Sequence, residues 1–460
     1  MDERSLKFIA ESCGAKILAG APETLVRNVC TDSRRAKPGD VFFAIKGENF
    51  DGHAFLNDVA EKKATALVVE HKKIPAKLPG CAVLAVPDTI AALGKFAAAY
   101  RRDFSLPIVC VCGSNGKTTT KELIASVLKQ KFSTLWSEAS FNNNIGVPLT
   151  LLRMEKTHEA AVLEAGTNHP GELAPLLEMI RPGLGVLTNV GREHLEFFGD
   201  MAGVAREEGQ LAELLPKDGT LFVNGDNQWT PEVVRRTRAR VVCLGFGEKN
   251  DWRAENVRLD KNGVTFVAAA PVKEFCGEYR LSLLGRHQAQ NALFAVALGA
   301  QVGMAAAQIQ RGLADCKPAK MRMQYWEAGG IRVLDDAYNA NADSMVAALE
   351  TLRDLPMQGR RVAVLGDMAE LGAHSEAAHA EVGRRAAELQ VGQLFAVGKM
   401  APIMARAARD AGLSRVIEFE NVEAATKAVK SFLKSGDLVL LKASRSSRLE
   451  RIAETLKTEK

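Results

Sequence analysis

The sequence lacks any run of about 18 apolar residues, the length that a membrane-spanning helix requires. Its first residues, MDERSLKFIAESCG, carry charges and include no apolar core of signal-peptide length. It also lacks an excess of one charge, because 60 basic residues stand against 55 acidic ones, and the net charge of +5 does not indicate nucleic-acid binding. We therefore expect a cytoplasmic protein with no integral membrane segment and no nucleic-acid partner, and we take a monomer as the expectation.

The cysteines lack the arrangement of a zinc site. No two form a Cys-x-x-Cys pair, and none has a histidine partner at zinc-ligand spacing. The eight are scattered at positions 13, 30, 81, 110, 112, 243, 276 and 316. We expect them to be reduced thiols, most of them buried.

Composition and length set the class of protein. An apolar fraction of 47% and a charged fraction of 25% are ordinary for a globular chain, which excludes disordered and fibrous proteins. The chain of 460 residues is longer than a domain with a single hydrophobic core usually is. At ~100–200 residues per domain, this length suggests about three domains.

Residues 106–122, LPIVCVCGSNGKTTTKE, have the order strand, glycine loop, helix. The apolar run Ile108–Cys112 predicts the strand, and the glycines let backbone N–H groups approach phosphate oxygens. A lysine and a hydroxyl follow at the positions that serve the β- and γ-phosphates and Mg²⁺. The gap between the glycines is two residues instead of the usual four, and a plain β-turn with a solvated lysine is the alternative. We predict an ATP site formed by Gly113, Ser114, Asn115, Gly116, Lys117, Thr118 and Thr119.

Apolar runs alternate with helical patterns along the whole chain, which predicts an α/β fold. We expect an N-terminal α/β domain (1–104), a central P-loop domain with a parallel sheet (105–315) and a C-terminal Rossmann-like domain (316–460) that lacks GxGxxG. The predicted central strands are Ile108–Cys112, Ala160–Glu164, 185–190, 221–224 and 241–244. Those of the C-terminal domain are 332–335, 361–365, 394–397 and Leu438–Lys442, with helices from Ser344, His374, Met400 and Val422.

Ligands of parallel sheets gather at the carboxyl ends of the strands. Glu164 ends the second central strand, and His194 follows the third. Both could approach a magnesium ion held by Thr118, since a carboxylate suits Mg²⁺ well and an imidazole less so. A surface or capping role is the alternative for His194.

Other polar segments are turns or substrate contacts, and their composition alone does not separate the two. In the N-terminal domain, strands are expected at VFFAI before residue 46, at Ala66–Glu70 and at Ala82–Val86, and residues 51–62 look helical. Two polar clusters interrupt this pattern, 31–34 and 47–53. In the central domain, residues 142–148 look like an exposed loop rich in amides, and 166–172 directly follow Glu164.

Taken together, the motifs resemble the Mur ligases, the ATP-dependent amide-forming enzymes of peptidoglycan assembly. Eight segments occur in the family's order and span nearly the whole chain. They are GSNGKTTTKE, NNNIGVPLTLL, LEAGTNHPGEL, TNVGREHLEFFGD, LLGRHQAQNAL, LDDAYNANADSM, VLGDMAELG and LKASRS. The TNHPGE and DDAYNAN segments are especially like those of the member that adds D-alanyl-D-alanine.

The resemblance implies a UDP-sugar-binding N-terminal domain, a central ATPase domain and a C-terminal domain that receives the amino component. It implies a UDP-substrate site formed by Asp32, Ser33, Arg34, Gly47, Asp51, His53 and Asn143. It places His287 and Asn291 toward the adenine, and Arg322, Asp336, Tyr338 and Asn339 toward the nucleotide from the C-terminal domain. It assigns Lys117 to catalysis with Glu164 and His194, and Thr118, Glu164 and His194 to Mg²⁺.

The implied activity is the joining of D-alanyl-D-alanine to UDP-N-acetylmuramoyl-tripeptide through an acyl phosphate, with ATP and Mg²⁺. Such a ligase serves peptidoglycan synthesis, and with it cell-wall formation, cell shape and cell division. No protein nucleophile is needed, because the site must instead neutralise phosphates and a carboxylate that are brought together. The third residue of the tripeptide, lysine or diaminopimelate, stays open.

One position departs from the family. Most Mur ligases carry a lysine fourteen residues after the histidine equivalent to His194, and its carbamylated side chain binds the second magnesium. Here that residue is Glu208, and no lysine occurs between Lys156 and Lys217. Our hypothesis is that the Glu208 carboxylate replaces the carbamate as a catalytic and metal-binding group. The alternative is a solvated helix residue.

Two rival functions remain at this stage. One is a folylpolyglutamate synthase-like ligase, which shares the phosphate loop and the acyl phosphate. The other is a catalytically inactive nucleotide-binding homologue, which the missing lysine keeps in consideration.

Overall fold

The computed structural model describes residues 1–47, 49–77 and 80–458. It is an α/β protein, as expected. Its strands are β1 (Arg4–Ser5), β2 (Lys16–Ala19), β3 (Leu25–Val26), β4 (Asn28–Cys30), β5 (Asp40–Phe43), β6 (Ala66–Glu70), β7 (Ala82–Val86), β8 (Ile108–Cys112), β9 (Thr134–Trp136), β10 (Ala160–Glu164), β11 (Leu184–Leu187), β12 (Thr220–Asn224), β13 (Arg240–Gly245), β14 (Trp252–Asp260), β15 (Gly263–Ala269), β16 (Gly277–Leu281), β17 (Gln324–Ala328), β18 (Ile331–Asp335), β19 (Arg361–Gly366), β20 (Gln393–Val397), β21 (Val416–Phe419) and β22 (Leu438–Lys442). Its α-helices are α1 (Leu6–Cys13), α2 (Leu56–Glu61), α3 (Thr89–Arg101), α4 (Lys117–Leu128), α5 (Gly146–Leu151), α6 (Leu173–Ile180), α7 (Leu195–Phe198), α8 (Met201–Glu208), α9 (Gln210–Leu214), α10 (Thr230–Val234), α11 (His287–Gln301), α12 (Ala306–Asp315), α13 (Ala342–Asp354), α14 (Ser375–Glu388), α15 (Ala401–Asp410), α16 (Val422–Phe432) and α17 (Glu450–Lys457).

The chain divides into two compact units. The first contains Met1–Cys110, Phe132–Thr167 and Glu172–Leu184, and the second contains Val111–Lys131, Asn168–Gly171 and Gly185–Lys460. Within the part of the chain that is described, every helix is too short or too polar to cross a bilayer.

The first unit is organised on a five-stranded sheet in the order β2-β7-β6-β5-β4. Strands β4 to β7 pair in parallel, and β2 is antiparallel to β7. Strands β5 and β7 are buried along their whole length, which explains their near-continuous apolar sequences. The predicted VFFAI strand ends at Phe43, because the chain turns and the Gly52 N–H bonds the Ile45 carbonyl at 2.8 Å. In the same unit β9 pairs in parallel with β10.

The central strands of the second unit run in the order β16-β15-β14-β13-β12-β11. Strands β12, β13 and β14 are parallel, whereas β14, β15 and β16 form an antiparallel meander. The expectation of a parallel sheet is therefore wrong for residues 252–281, where we had predicted no strands. The Asn262-Gly263 pair at the turn between β14 and β15 is a hairpin signal that the sequence offers, and burial alternates along β14 in the structure.

The C-terminal sheet has the order β17-β18-β22-β19-β20-β21. All its pairings are parallel except that of β17 with β18, so the Rossmann-like expectation holds for the main sheet. Apolar clusters cover both faces, one around Leu349 and Leu440 and the other around Val439 and Ile452. The four predicted strands and helix starts are found within two residues, while β17 and β21 were missed.

Two local predictions are wrong. Strand β11 ends at Leu187, three residues before the predicted end, because the following residues turn to bind the phosphate loop. Residues 142–148 are not simply an exposed loop, since α5 begins at Gly146 and its first three residues are buried. A side chain at Gly146 would place its Cβ 2.5 Å from the Phe141 Cα, so the chain packs tightly there.

Candidate active site

The glycine loop after β8 is fixed by the residues that follow β11. The Ser114 N–H donates to the Asn189 carbonyl at 3.0 Å, and the Asn115 N–H donates to Asn189 Oδ1 at 2.9 Å. Thr188 Oγ1 donates to the Asn115 carbonyl at 2.7 Å. Gly116, with φ +82°, then occupies the N-cap of α4. These contacts fix the loop and place Gly116 directly at the N-terminus of α4, the end of a helix that favours an anion. The ATP site itself stays a prediction.

Gly113 carries the sharpest constraint in this loop. Its φ is +116°, and a Cβ there would lie 2.4 Å from Thr188 Oγ1 and 2.8 Å from the Asn189 carbonyl oxygen. Because neither the conformation nor the space admits a side chain, we expect Gly113→Ala to destabilise the protein by about 3 kcal/mol and lower its thermal midpoint by about 5 °C or more.

Gly183→Ala is the matched control, because a Cβ at Gly183 meets nothing within 4 Å. Its midpoint should stay within about 1 °C of the parent in the same thermal melt. Equal midpoints for the two variants would contradict the close approach described at Gly113.

Lys117, the first residue of α4, lies close to Glu193 and His194. Its Nζ lies 3.3 Å from Glu193 Oε2, and His194 Nε2 lies 3.8 Å from the same oxygen. Glu193 is 7% exposed and was missed by sequence analysis, although it directly precedes His194 in the GREH segment. Lys117, Glu193 and His194 therefore meet at one place beside the phosphate loop.

Glu208, at the end of α8, belongs to the same group. It is 1% exposed, so the alternative of a solvated helix residue is wrong. Burial raises the pKa of its carboxyl well above 4.5, Lys117 opposes that shift and Glu193 adds to it. Among the described residues neither carboxylate oxygen has a hydrogen-bond partner of good geometry, although the Glu193 carboxyl and the Gly113 backbone lie close enough to shift its pKa. A buried acid in these surroundings would be stabilised in its ionised form by a cation that compensates its charge.

Glu164, in the first unit, also has a buried carboxylate oxygen without a hydrogen-bond partner in the part of the chain that is described. Its Oε1 accepts from Asn142 Nδ2 at 2.8 Å, and its buried Oε2 has no hydrogen-bond partner among the residues described. Asn143, predicted to contact the UDP substrate, accepts from the N–H of Gly146, the first residue of α5, at 2.9 Å.

Both orphaned carboxylates fit a hard divalent cation, and Thr118 is buried in the first turn of α4. Across residues 1–47, 49–77 and 80–458, no three His, Cys, Asp or Glu side chains form a preassembled metal cluster.

The predicted adenine-side residues adjoin the loop. Asn291 Oδ1 lies 2.8 Å from the position that a Cβ on Gly116 would take, and Asn291 Nδ2 donates to Gln288 Oε1 at 2.9 Å. Burial lowers the pKa of His287 to about 4, so its ring is neutral at pH 7. Asn341 Nδ2 donates to Asn115 Oδ1 at 2.9 Å and joins the DDAYNAN segment to the loop.

The remaining C-terminal candidates form a compact polar group. Lys442 Nζ donates to Asp336 Oδ2 at 2.6 Å and to the Asn339 carbonyl at 3.0 Å. The Arg322 guanidinium lies over the Tyr338 ring, 4.2 Å from its centroid. The structure therefore brings Asp336 and Asn339 to the buried Lys442 and pairs Arg322 with Tyr338.

The residues of the first unit that were predicted to bind the UDP substrate form hydrogen bonds with other residues of that unit. The Arg34 guanidinium lowers the pKa of Asp32 to about 2, and Asp32 caps the turn Ser33–Arg35. Lys73 and then His53 hold the pKa of Asp51 below its usual range, while His53 Nε2 accepts from the Glu70 N–H at 3.1 Å. The Gly47 N–H donates to the Phe50 carbonyl, and Glu48 of the same predicted loop lies outside the described residues.

Three family models match the chain in succession. They are the Mur ligase family catalytic domain over residues 25–101, the Mur ligase middle domain over 111–299 and the Mur ligase glutamate ligase domain over 321–445. This chain belongs to the Mur ligase family. The order of the models supports the three-domain Mur ligase architecture, while the boundaries at 104/105 and 315/316 stay predictions.

Several members of the family are similar to this Mur ligase over nearly its full length. The UDP-N-acetylmuramoyl-tripeptide–D-alanyl-D-alanine ligase of Escherichia coli is 36% identical over 95% of each chain. The crystal structure of MurF from Acinetobacter baumannii superposes with a TM-score of 0.90 at 30% identity over 99% of both chains. MurF of Thermotoga maritima, solved with ADP, gives a TM-score of 0.82 at 27% identity over 94% of this chain and 98% of its own.

The rival family shares only the fold. A folylpolyglutamate synthase of Mycobacterium tuberculosis superposes with a TM-score of 0.63 at 16% identity, covering 81% of this chain and 95% of its own. The MurF-type resemblance is confirmed, and the folylpolyglutamate synthase alternative is not favoured.

Proposed function

We propose that this Mur ligase joins D-alanyl-D-alanine to UDP-N-acetylmuramoyl-tripeptide, converting ATP to ADP and phosphate, in peptidoglycan precursor synthesis. The observation that carries the proposal is the 36% identity, over 95% of both chains, to a ligase named for this reaction. The phosphate loop with its half-buried lysine and acidic neighbours supplies the chemistry that the reaction needs.

ATP binds with its phosphates against the loop from Gly113 to Thr119. Backbone N–H groups at the start of α4 and the Lys117 ammonium neutralise the β- and γ-phosphates. Asn291 and neutral His287 lie on the adenine side, and Arg322, Asp336, Tyr338 and Asn339 reach the nucleotide from the C-terminal domain. The UDP end of the other substrate is held in the N-terminal domain by Asp32, Ser33, Arg34, Gly47, Asp51 and His53, with Asn143 from the central domain.

Thr118, Glu164, His194 and Glu208 would hold Mg²⁺. When bound, the ion supplies positive charge that offsets the phosphates and the substrate carboxylate. Glu208 supplies a carboxyl group where most family members carry a carbamylated lysine, so this site does not depend on carbon dioxide. A bound cation would favour the ionised carboxylate over the protonated form that burial favours. Its side chain is shorter than carbamyl-lysine, and the buried end of α8 brings it beside Lys117 and Glu193.

The chain acts by holding charged reactants together. The terminal carboxylate of the tripeptide attacks the γ-phosphorus, the bond to the β-phosphate oxygen breaks, and ADP leaves with that electron pair. The dipeptide amine then attacks the acyl carbon, loses a proton, and expels inorganic phosphate. Lys117 and the loop N–H donors stabilise the charge that accumulates on the transferred group, and no side chain becomes covalently modified.

Phosphate release from ATP tests the proposal. We expect turnover only when UDP-N-acetylmuramoyl-tripeptide and D-alanyl-D-alanine are both present, and the lysine and diaminopimelate tripeptides should be compared. Omitting either substrate should leave only background release. Release supported by a folate and glutamate would favour the folylpolyglutamate synthase alternative, and no substrate-dependent release at all would favour an inactive nucleotide-binding homologue.

A further inference from the structure

The segment that follows β19, residues 367–372, packs on the short helix that follows His194. The Glu370 carboxylate accepts a hydrogen bond from His194 Nδ1. The Glu196 N–H donates to the Glu370 backbone carbonyl at 3.1 Å, so side chain and backbone of Glu370 both hold this helix. A strand exit of the C-terminal sheet thereby contacts the histidine predicted to serve the phosphate site.

This contact fixes the chemical form of the imidazole. An ionised carboxylate can only accept hydrogen bonds, so Nδ1 must carry the proton. In the neutral ring Nε2 then has the free lone pair, and it points toward Glu193 Oε2 at 3.8 Å, on the side of Lys117. A histidine oriented in this way presents a ligand nitrogen to a cation beside the phosphate loop.

Both ends of the contact hold an unfavourable backbone conformation. His194 has φ +48° and Glu370 has φ +59°, in the left-handed region that residues other than glycine rarely adopt. Gly372 follows with φ +51°, and a Cβ there would lie 3.1 Å from the Glu196 Cα. Such strain persists only where surrounding contacts enforce it, and it is frequent at functional sites.

A second group of polar contacts joins the C-terminal segment to residues near His194. The Arg192 guanidinium bonds both Asp343 Oδ1, at 2.6 Å, and Glu381 Oε1, at 3.0 Å. His374 Nε2 lies 3.0 Å from the Gly199 carbonyl oxygen, at the other end of α7. The segment carrying Glu370 is therefore held against residues 192–199 on both sides of the His194 contact.

We propose that Glu370 is a positioning residue of the ligase reaction, which fixes the His194 ring and aims its Nε2 at the cation beside the phosphate loop. The C-terminal domain thereby completes a site that otherwise belongs to the central domain. The proposal rests on the proposed function, since it takes His194 to act at the metal during that reaction.

Mn²⁺ binding, followed by electron paramagnetic resonance with the non-hydrolysable ATP analogue AMP-PNP, tests the role without relying on turnover. Glu370→Ala should weaken Mn²⁺ binding about 10- to 100-fold and lower kcat similarly, with the KM for ATP within twofold of the parent. Glu370→Gln keeps an acceptor oxygen and should recover most of the Mn²⁺ affinity. Glu376→Ala, an exposed glutamate in the first turn of α14, is the matched control and should change neither quantity.

The double variant with His194→Ala separates positioning from general stability. If Glu370 acts through His194, then Glu370→Ala should have no further effect on Mn²⁺ binding in the His194→Ala background. Unchanged Mn²⁺ affinity in Glu370→Ala, or equal losses in both backgrounds, would overturn the proposal. An inactive parent enzyme that still shows the Glu370 effect on Mn²⁺ would instead reject the proposed ligase function alone.

Discussion

Lys117→Ala is expected to lower kcat for phosphate release by about 10³-fold, the largest effect of any single substitution in the site. The Lys117 ammonium stands at the N-terminus of α4, 3.3 Å from Glu193 Oε2. In the proposed function the transferred phosphoryl group accumulates negative charge at this place. No other lysine lies in the loop from Gly113 to Thr119, so nothing there replaces the lost charge. Steady-state phosphate release with both substrates saturating measures the effect.

The matched control is Lys261→Ala, which removes an exposed lysine from the turn between β14 and β15. It should leave kcat within twofold of the parent. The Lys117 variant should also melt at a lower temperature, because Glu193 and the buried Glu208 lose the cation that offsets their charge. Retention of more than a tenth of the parent kcat by Lys117→Ala would show that the loop does not bind the reacting phosphates as described.

Glu208→Gln should lower kcat by about 10²-fold or more and make the metal-free protein more stable at pH 8. Glutamine has nearly the same size but no charge, so it cannot offset a cation. The parent protein buries the Glu208 carboxylate beside Glu193, and this burial raises the pKa of Glu208 in the folded protein. The substitution removes that unfavourable burial of charge. Loss of activity with a gain of thermal stability is a combination that simple misfolding cannot produce.

The pH dependence of that stability gain has a definite sign. Because the folded pKa of Glu208 lies above the unfolded value, folding favours the protonated form. The carboxyl therefore contributes its full stability below about pH 4.5 and loses it as the pH rises toward the folded pKa. The difference in thermal midpoint between Glu208→Gln and the parent should be small at pH 4.5 and grow toward pH 8.

Two further substitutions test whether Glu208 replaces a carbamylated lysine. Glu208→Ala should be as inactive as the glutamine variant, and turnover equal to the parent would reject the role. Glu208→Lys should regain activity only if bicarbonate is supplied, because its carbamate would restore the negative charge. Glu232→Gln, on the exposed face of α10, is the control and should change neither activity nor stability.

Predictions from sequence succeeded where the signal is local. The apolar runs of β8, β10 and β22 gave strand bounds that agree with the structure at both ends, because buried parallel strands have near-continuous apolar sequences. The meander of β14 to β16 was missed because the expectation of a parallel sheet ended with the strand at 241–244, and an antiparallel extension depends on pairing that no apolar run marks. The family prediction, made from motifs in their order, is confirmed by family models along the chain.

The candidate site was predictable as a set of residues and only partly as an arrangement. Lys117 and His194 were predicted from motifs, and the structure places both beside Glu193, which was not predicted. The burial of Glu208 could not be read from its neighbours Arg206 and Glu207, since a helix residue is buried by what packs on it. Glu370 was part of a quoted motif, but nothing in the sequence joins it to His194.

The sequence by itself determined the class of the fold, the place of the phosphate loop and the family, because each depends on residues adjacent in the chain. Only the tertiary structure decided which charges meet. Lys117 and Glu193 are 76 residues apart, and His194 and Glu370 are 176 apart. Such contacts, and the desolvation that raises the pKa of Glu208, arise from packing of distant elements that no local pattern encodes.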